Sequence, residues 1–288
     1  MGVFMERIEI IIFWLAVVTS GVSSIIYVKN FVSKAENVLY GKIATIFGII
    51  SFISLTSVIA ISWVRTGLHP FTGPFTTTLF YAVSVLGLFL LVEYFYLKKA
   101  EKLKLLGLFV MPFAVVLMLK AWQTYKFNEL ISPELKSFRV FIHISSALFA
   151  YGAFTMATFL AILYLFKERQ LKSKSTSSIW KKFPSLETSD VLCYRTIAIG
   201  FVFSVILLLT GMITAQMVWG HMWDWGEPRM VSALVMTLIY GFYLYSREIM
   251  GWRGKRSSII AIIGFIAALI TYFAPYLMES IHRWGTGF

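Results

Sequence analysis

The chain has 288 residues, of which 58% are hydrophobic and 14% are charged, and its mean hydropathy is +0.77. Soluble domains carry about 25% charged residues, so this composition excludes an ordinary soluble protein. The net charge of +12 does not indicate nucleic acid binding, because the lysines and arginines cluster in a few loops between apolar runs. Attraction to anionic lipid headgroups is a sufficient explanation for such loops.

Apolar runs of roughly 20 residues predict transmembrane helices, and the chain has eight of them. In chain order they cover residues 8–28, 43–64, 78–97, 105–121, 140–166, 194–217, 230–246 and 258–280. The first run is too long for a signal peptide and no small-residue cleavage site follows it, so we expect a retained anchor. We therefore predict an all-α integral membrane protein, with residues 1–288 forming a single polytopic domain.

Basic residues alternate between the loops and set the expected orientation. The loops after the first, third, fifth and seventh runs contain Lys29, Lys34, Lys42, Lys98, Lys99, Lys102, Lys104, the basic residues of 167–195 and those of 247–256. The positive-inside rule places these loops in the cytoplasm and both termini outside. Residues 167–190 are hydrophilic, and we expect them to form a mobile cytoplasmic loop.

The loops predicted to lie outside are richer in structure signals. Prolines and glycines in residues 65–74 predict a structured turn, and residues 122–139 are expected to contain a short interfacial helix. This topology also places all four histidines at the outer face, namely His69, His143, His221 and His282. The single cysteine, Cys193, falls near the cytoplasmic end of its span, where we expect a buried residue without thiol chemistry.

The most unusual segment is the tryptophan loop, residues 219–229, which reads Trp-Gly-His-Met-Trp-Asp-Trp-Gly-Glu-Pro-Arg. Tryptophan faces stack on extended π-systems, and an arginine can pair with a carboxylate through two hydrogen bonds. Imidazoles are axial ligands of haem iron. A loop that joins these groups at a membrane surface therefore indicates a flat, apolar ligand with anionic edges, of which haem is an example.

These residues resemble the CcsA (ResC-type) cytochrome c biogenesis proteins, which belong with CcmC and CcmF to the haem-handling membrane proteins with a WWD domain. Their approximate signature, W-G-x-x-W-x-W-D-P, is similar to residues 219–228. Further similarities lie at 194–201, 253–258, 263–265 and 282–288, so a CcsA-like core spans residues 138–288. The first half of the chain is similar mainly at Gly67-Leu-His69-Pro70.

The resemblance implies the haem-binding component of a cytochrome c synthase, a system II haem lyase, in which the chain is one subunit. Haem b would be the presented substrate, with His143 and His282 as axial ligands of the iron and Trp219, Trp223 and Trp225 as the platform. The implied partners are a CcsB (ResB-type) membrane protein, the CxxCH motif of apocytochrome c, and a thioredoxin-like thiol reductant. The membrane is then a bacterial plasma membrane or, alternatively, a thylakoid, with the loop on the extracytoplasmic side.

Other residues of the loop receive supporting roles. Arg229, with Arg283 near the last histidine, is expected to pair with haem propionates. The signature aspartate is replaced by Gly226-Glu227, so either Glu227 or Asp224 supplies the acid. His221 is either a direct ligand or a residue that supports the ligands.

One span departs from the family pattern. Many members have a histidine in a Tyr-Leu-His-Thr-Arg context after the loop, where this chain has Tyr245. Tyrosine is a rarer haem ligand, and the simpler interpretation is that Tyr245 packs and hydrogen-bonds within the bundle. Two alternative functions are a CcmC-like haem exporter or chaperone, which typically has six spans, and a HemX-like regulator of haem synthesis, which has no evident need for the tryptophan loop.

Overall fold

The computed structural model describes residues 2–33, 38–67, 69–71, 73–96, 101–125, 137–174, 180 and 182–277. The α-helices are α1 (Gly2–Val32), α2 (Val38–Thr66), α3 (Pro74–Tyr96), α4 (Gly107–Trp122), α5 (Phe138–Lys172), α6 (Leu186–Trp219), α7 (Pro228–Glu248) and α8 (Lys255–Leu277). A 3-10 helix, Glu101–Leu106, precedes α4. Within these ranges eight helices are long and apolar enough to cross a membrane, which confirms the predicted all-α membrane fold.

The helices form two four-helix halves. Helices α1 to α4 pack against one another, α5 to α8 do the same, and α5 joins the halves by packing along α3. This joint is close because Gly152 of α5 faces Ser84 of α3. A Cβ atom at Gly152 would lie 2.8 Å from the Ser84 Cβ and 3.2 Å from its carbonyl carbon. Accordingly, α5 is the most deeply buried of the eight spans.

One end of the bundle contains His143 and is called the His143 end. Here Arg65 Nε of α2 donates to Glu9 Oε2 of α1 at 2.8 Å. The hydroxyls of Thr78 in α3 and Tyr272 in α8 lie 3.0 Å apart. These contacts bring the beginnings of α1 and α3 together with the ends of α2 and α8, as an up-and-down bundle requires.

The opposite end, called the Asp190 end, is held by buried charges. Arg247 of α7 donates to both oxygens of Asp190 in α6 at 3.0 and 2.6 Å, and the backbone N–H of Gly254 donates to Asp190 Oδ1 at 3.0 Å. The Lys182 ammonium donates to the Asn30 carbonyl at 2.5 Å and to the Ser33 carbonyl at 2.7 Å. A cation is stabilised there because the last carbonyls of a helix, in this case α1, carry partial negative charge.

The prediction of a mobile loop at residues 167–190 is wrong at both of its ends, where residues 167–172 and 186–190 are helical, and residues 175–179 and 181 lie outside the described residues. Helix α5 continues to Lys172 and α6 begins at Leu186 with Ser185 as its N-cap, whose hydroxyl accepts from the Thr188 N–H at 3.1 Å. Between the helices, Lys182 and Phe183 are buried. The hydrophilic composition does not reveal the helical ends, because lysine is compatible with helix. It does not reveal the burial of Lys182 either, because a lysine can bury its aliphatic stem while its ammonium group reaches a carbonyl.

The other loop predictions have different outcomes. The structured turn is confirmed, since α2 ends at Thr66, Gly67 has a φ of +67° and α3 begins at Pro74. Most of the segment 122–139, in which an interfacial helix is predicted, lies outside the described residues, since these omit 126–136. Cys193 is buried near the Asp190 end as predicted, with its thiol 3.4 Å from the Ala157 carbonyl.

Candidate functional site

The tryptophan loop connects two helix ends at the His143 end. Helix α6 ends at Trp219, and Gly220 adopts the left-handed conformation with a φ of +77° while its N–H donates to the Gln216 carbonyl at 3.1 Å. Glycine is favoured at this position because no Cβ opposes the positive φ. Helix α7 begins at Pro228, a residue suited to the first helical turn. The loop is therefore anchored sharply on both sides.

Both acids of the loop have partners in the loop itself. Asp224 Oδ1 accepts from the Gly226 N–H at 2.7 Å, which forms a side-chain-closed turn. Glu227 is the N-cap of α7, is only 3% exposed, and accepts from the Arg229 N–H at 3.2 Å. The two candidate acids thus shape the backbone between the tryptophans and α7.

Replacing Glu227 with alanine is expected to destabilise the loop by about 1 kcal/mol, because the first N–H groups of α7 lose their acceptor. Thermal unfolding of the purified protein, followed by tryptophan fluorescence, measures this loss. Glu227→Asp is the matched control, since aspartate is also a strong N-cap. Equal destabilisation by both substitutions contradicts the capping role.

The tryptophans differ in exposure. Trp225 is 74% exposed, whereas Trp219 and Trp223 are half-buried. The rings of Trp223 and Trp225 meet edge-on, with centroids 5.4 Å apart and planes at 66°. Met222 and His221 are also exposed. The loop therefore presents an apolar, aromatic surface at the His143 end.

Trp223 also has an unused hydrogen-bond donor. Its Nε1 atom is buried, and no acceptor in the described part of the chain is within hydrogen-bond distance. A buried donor in this condition costs about 1–3 kcal/mol relative to a satisfied one. A carboxylate or carbonyl that reached the indole N–H after a shift of the loop could recover this free energy.

His143 lies in the second turn of α5, half-buried against α6. Its Nδ1 atom is 3.1 Å from the Leu207 carbonyl oxygen and 3.3 Å from the Thr210 hydroxyl. Because a carbonyl can only accept, the Nδ1–H tautomer satisfies this contact. The lone pair is then on Nε2, which is a common ligand atom for metals.

Two other residues singled out in the sequence, His69 and Arg229, lie in the described part of the chain. His69 accepts the Phe71 N–H at Nδ1 at 3.3 Å, and its ring meets Phe141 of α5 edge-on at 5.9 Å. The Arg229 side chain lies near the buried Tyr151 hydroxyl. His282 and Arg283 lie outside the described residues, which end at Leu277.

The expectation for Tyr245 is wrong. Its side chain is 55% exposed rather than packed within the bundle. The inward face of α7 is formed by Tyr240, Tyr243 and Arg247, which follow one another at helical spacing and are buried. Tyr245 is two residues from Tyr243, and at about 100° per residue it lies on the opposite side of the helix.

The described residues contain no group of three or more histidine, cysteine, aspartate and glutamate side chains that could hold a metal ion. A closed site made only of protein ligands, as in structural zinc proteins, is therefore not formed in this part of the chain. Iron already held by a porphyrin needs only one or two axial side chains. A histidine such as His143 can meet that smaller requirement.

Comparison with known proteins decides the family. A family profile described as "Cytochrome C assembly protein" matches residues 7–282. The chain belongs to the cytochrome c assembly protein family. It is 27% identical to the cytochrome c biogenesis protein CcsA of Guillardia theta over 96% of this chain and 92% of that protein. For CcsA of Gloeobacter violaceus the identity is 24%, over 82% of this chain and 84% of that protein.

Membership in the cytochrome c assembly family gives the site its context. The match begins in α1, so it includes the first four helices as well as the tryptophan loop. The family supports a role in cytochrome c maturation, a process that involves haem.

Proposed function

We propose that the chain binds haem at the His143 end and presents it for covalent attachment to apocytochrome c, as one subunit of a cytochrome c synthase. The observation that carries this proposal is the combination of an oriented imidazole and an exposed aromatic loop on neighbouring helices. His143 is fixed by the Leu207 carbonyl of α6, and the same helix ends in Trp219. Such a combination suits a ligand that is both metal-containing and apolar.

In this proposal His143 binds the haem iron through Nε2, and His282 binds from the other face. Two imidazoles give six-coordinate, low-spin iron. Helix α8 runs toward the His143 end, since Tyr272 meets Thr78 at the beginning of α3. The chain after Leu277 therefore starts from the end of the bundle at which the second ligand is needed.

The tryptophan loop would hold the porphyrin. Trp225 and the half-buried Trp219 and Trp223 supply aromatic surface, and His221 lies exposed beside them. Arg229, held near Tyr151, is positioned at the beginning of α7 to attract a propionate. Asp224 and Glu227 keep the loop in shape through their backbone contacts.

Haem supplies the vinyl groups of the reaction. Each apocytochrome thiol adds across one vinyl C=C bond, with sulfur joining one carbon and hydrogen the other, so the addition involves no net oxidation. The chain contributes binding and orientation, which can account for most of a rate enhancement. Its only cysteine, Cys193, is buried near the Asp190 end, so a partner thiol system must keep the apocytochrome cysteines reduced.

The orientation in the membrane follows from charge. We infer that the Asp190 end is cytoplasmic and that the tryptophan loop and both termini are extracytoplasmic, because described lysines and arginines such as Lys42, Lys104, Lys167 and Arg253 belong to the Asp190 end. The membrane would be a bacterial plasma membrane or a thylakoid. A CcsB-like membrane protein would complete the synthase.

The test is a reduced-minus-oxidised visible spectrum of the protein purified in mild detergent, with and without the candidate partner. The expected result is a sharp low-spin spectrum of non-covalent haem b. Absence of haem in both preparations, together with normal c-type cytochromes in a strain that lacks the chain, rejects the proposal.

Trp225→Ala is expected to lower haem retention about tenfold, which corresponds to roughly 1.4 kcal/mol of lost aromatic contact. Because Trp225 is 74% exposed, the unfolding temperature should hardly change. Haem content per protein after detergent washing measures the effect. Trp63→Ala is the control, since Trp63 is 48% exposed on α2 and outside the loop. Equal losses from both variants contradict a specific platform.

A further inference from the structure

Three residues of one α6 segment lie against the His143 imidazole, and we call them the α6 seat (Leu207, Thr210 and Gly211). The Leu207 carbonyl and the Thr210 hydroxyl lie 3.1 and 3.3 Å from Nδ1. The Thr210 hydroxyl donates its own hydrogen to the Ile206 carbonyl at 2.6 Å, so its lone pairs are available to the ring. Both acceptors thus favour a proton on Nδ1.

Gly211 provides the space for the ring. A Cβ atom there would lie 2.8 Å from His143 Cε1 and 3.3 Å from Nδ1, and Nε2 would be 3.9 Å away. Real Cβ atoms essentially never make a contact below 3.0 Å, so a side chain at 211 must displace the imidazole. Since the displaced atom lies between the two nitrogens, the ring turns and the direction of the Nε2 lone pair changes.

We propose that the α6 seat is a set of positioning residues that fixes the tautomer and the direction of His143. This inference rests on the proposed function, because it assigns a purpose to the direction of Nε2. It also means that α6 fixes the distance between the iron ligand and the tryptophan loop. Gly211 and Trp219 are separated by eight residues of continuous helix, or about 12 Å along its axis.

The first test uses the haem-free protein. Nitrogen NMR of protein labelled with ¹⁵N in its histidine rings reports the tautomer of His143, whose signals are assigned by their loss in His143→Ala. We expect the Nδ1–H tautomer in the unmodified chain and a mixture of tautomers in Gly211→Ala. Gly21→Ala is the matched control, since a Cβ at Gly21 of α1 meets nothing within 4 Å. An Nε2–H tautomer in the unmodified chain overturns the inference.

The second test uses the haem-loaded protein. Gly211→Ala should weaken haem retention about 10–100-fold, the usual range when support of a metal ligand is lost. The low-spin spectrum should become high-spin, and free imidazole should restore it by supplying the missing ligand. Thr210→Val should have a smaller effect in the same direction. Thr214→Val is its control, because the Thr214 hydroxyl bonds the Thr210 carbonyl in the helix.

The two tests separate the seat from the proposed function. If no haem binds but His143 has the Nδ1–H tautomer and responds to Gly211→Ala, the seat stands and the haem assignment fails. If haem binds with a normal spectrum in Gly211→Ala, the seat has no positioning role and the inference fails alone.

Discussion

Replacing His143 with alanine is expected to stop production of holocytochrome c, with a fall of more than about 100-fold, because support of a ligand alone is worth 10–100-fold. The fold should survive, since His143 is half-buried and its α6 contacts are to groups that also hydrogen-bond within the helix. Haem staining of c-type cytochromes in a strain that depends on the variant measures the loss.

His69→Asn is a suitable control at the same end of the bundle. The amide oxygen of asparagine can still accept the Phe71 N–H that His69 Nδ1 accepts at 3.3 Å. We expect holocytochrome c to persist in this variant. If the His143→Ala variant matures cytochrome c normally, or has a low-spin haem spectrum without added imidazole, His143 is not a ligand.

The second large effect is expected from Asp190→Ala at the other end of the bundle. Arg247 would lose both charge-assisted hydrogen bonds while its side chain, only 8% exposed in the native state, is still surrounded by protein. Removing one partner of a buried pair costs about 3–5 kcal/mol. The midpoint of unfolding in a denaturing detergent should fall accordingly, with little effect on the haem spectrum of the surviving folded protein.

Two variants test the origin of that loss. Asp190→Leu combined with Arg247→Met should recover much of the stability, because no unpaired charge is left. Glu168→Ala removes the Lys172 pair, in which the lysine is 68% exposed, and should cost no more than about 0.5 kcal/mol. If Asp190→Ala and Glu168→Ala lower the stability by similar amounts, burial of the Asp190–Arg247 pair is not the cause of the loss.

The spans could be predicted because about 20 apolar residues are needed to cross a bilayer and few other structures use them. Their bounds could not, since α5 and α6 continue through charged residues such as Lys172 and Glu187, where hydropathy no longer reports helix. The buried position of Phe183 was also missed. It depends in part on a contact with Phe31 of α1, and the large separation of Phe31 and Phe183 along the chain hides this contact from sequence analysis.

For Tyr245 the necessary signal was present in the sequence. Tyr240, Tyr243 and Arg247 recur at spacings of three and four, which marks one face of α7 and leaves Tyr245 on another. The N-cap role of Glu227 was equally readable, because a polar residue before proline marks a helix start. Helical phase and capping preferences therefore indicate the structural positions of these two residues.

The candidate site was predictable only in part. Tryptophan, histidine and arginine have chemistry that can be read from the sequence, so the loop was singled out by its own residues, whereas His143 was singled out by the family resemblance. The partner of His143 is a main-chain carbonyl of Leu207, 64 residues away, and a carbonyl has no residue signature. Gly211 is likewise inconspicuous within an apolar span, and only the closeness of the ring shows why a side chain is excluded.

Helix α6 runs without a break from Gly211 to its C-cap at Gly220. We therefore expect the number of residues in this segment to matter more than their identity. Each residue added or removed between these points rotates the tryptophan loop by about 100° around α6 and moves it about 1.5 Å along the axis. Apolar substitutions on the exposed side leave that phase unchanged. A single-residue deletion in this segment would therefore leave His143 and the tryptophan loop chemically intact but turn the loop away from His143.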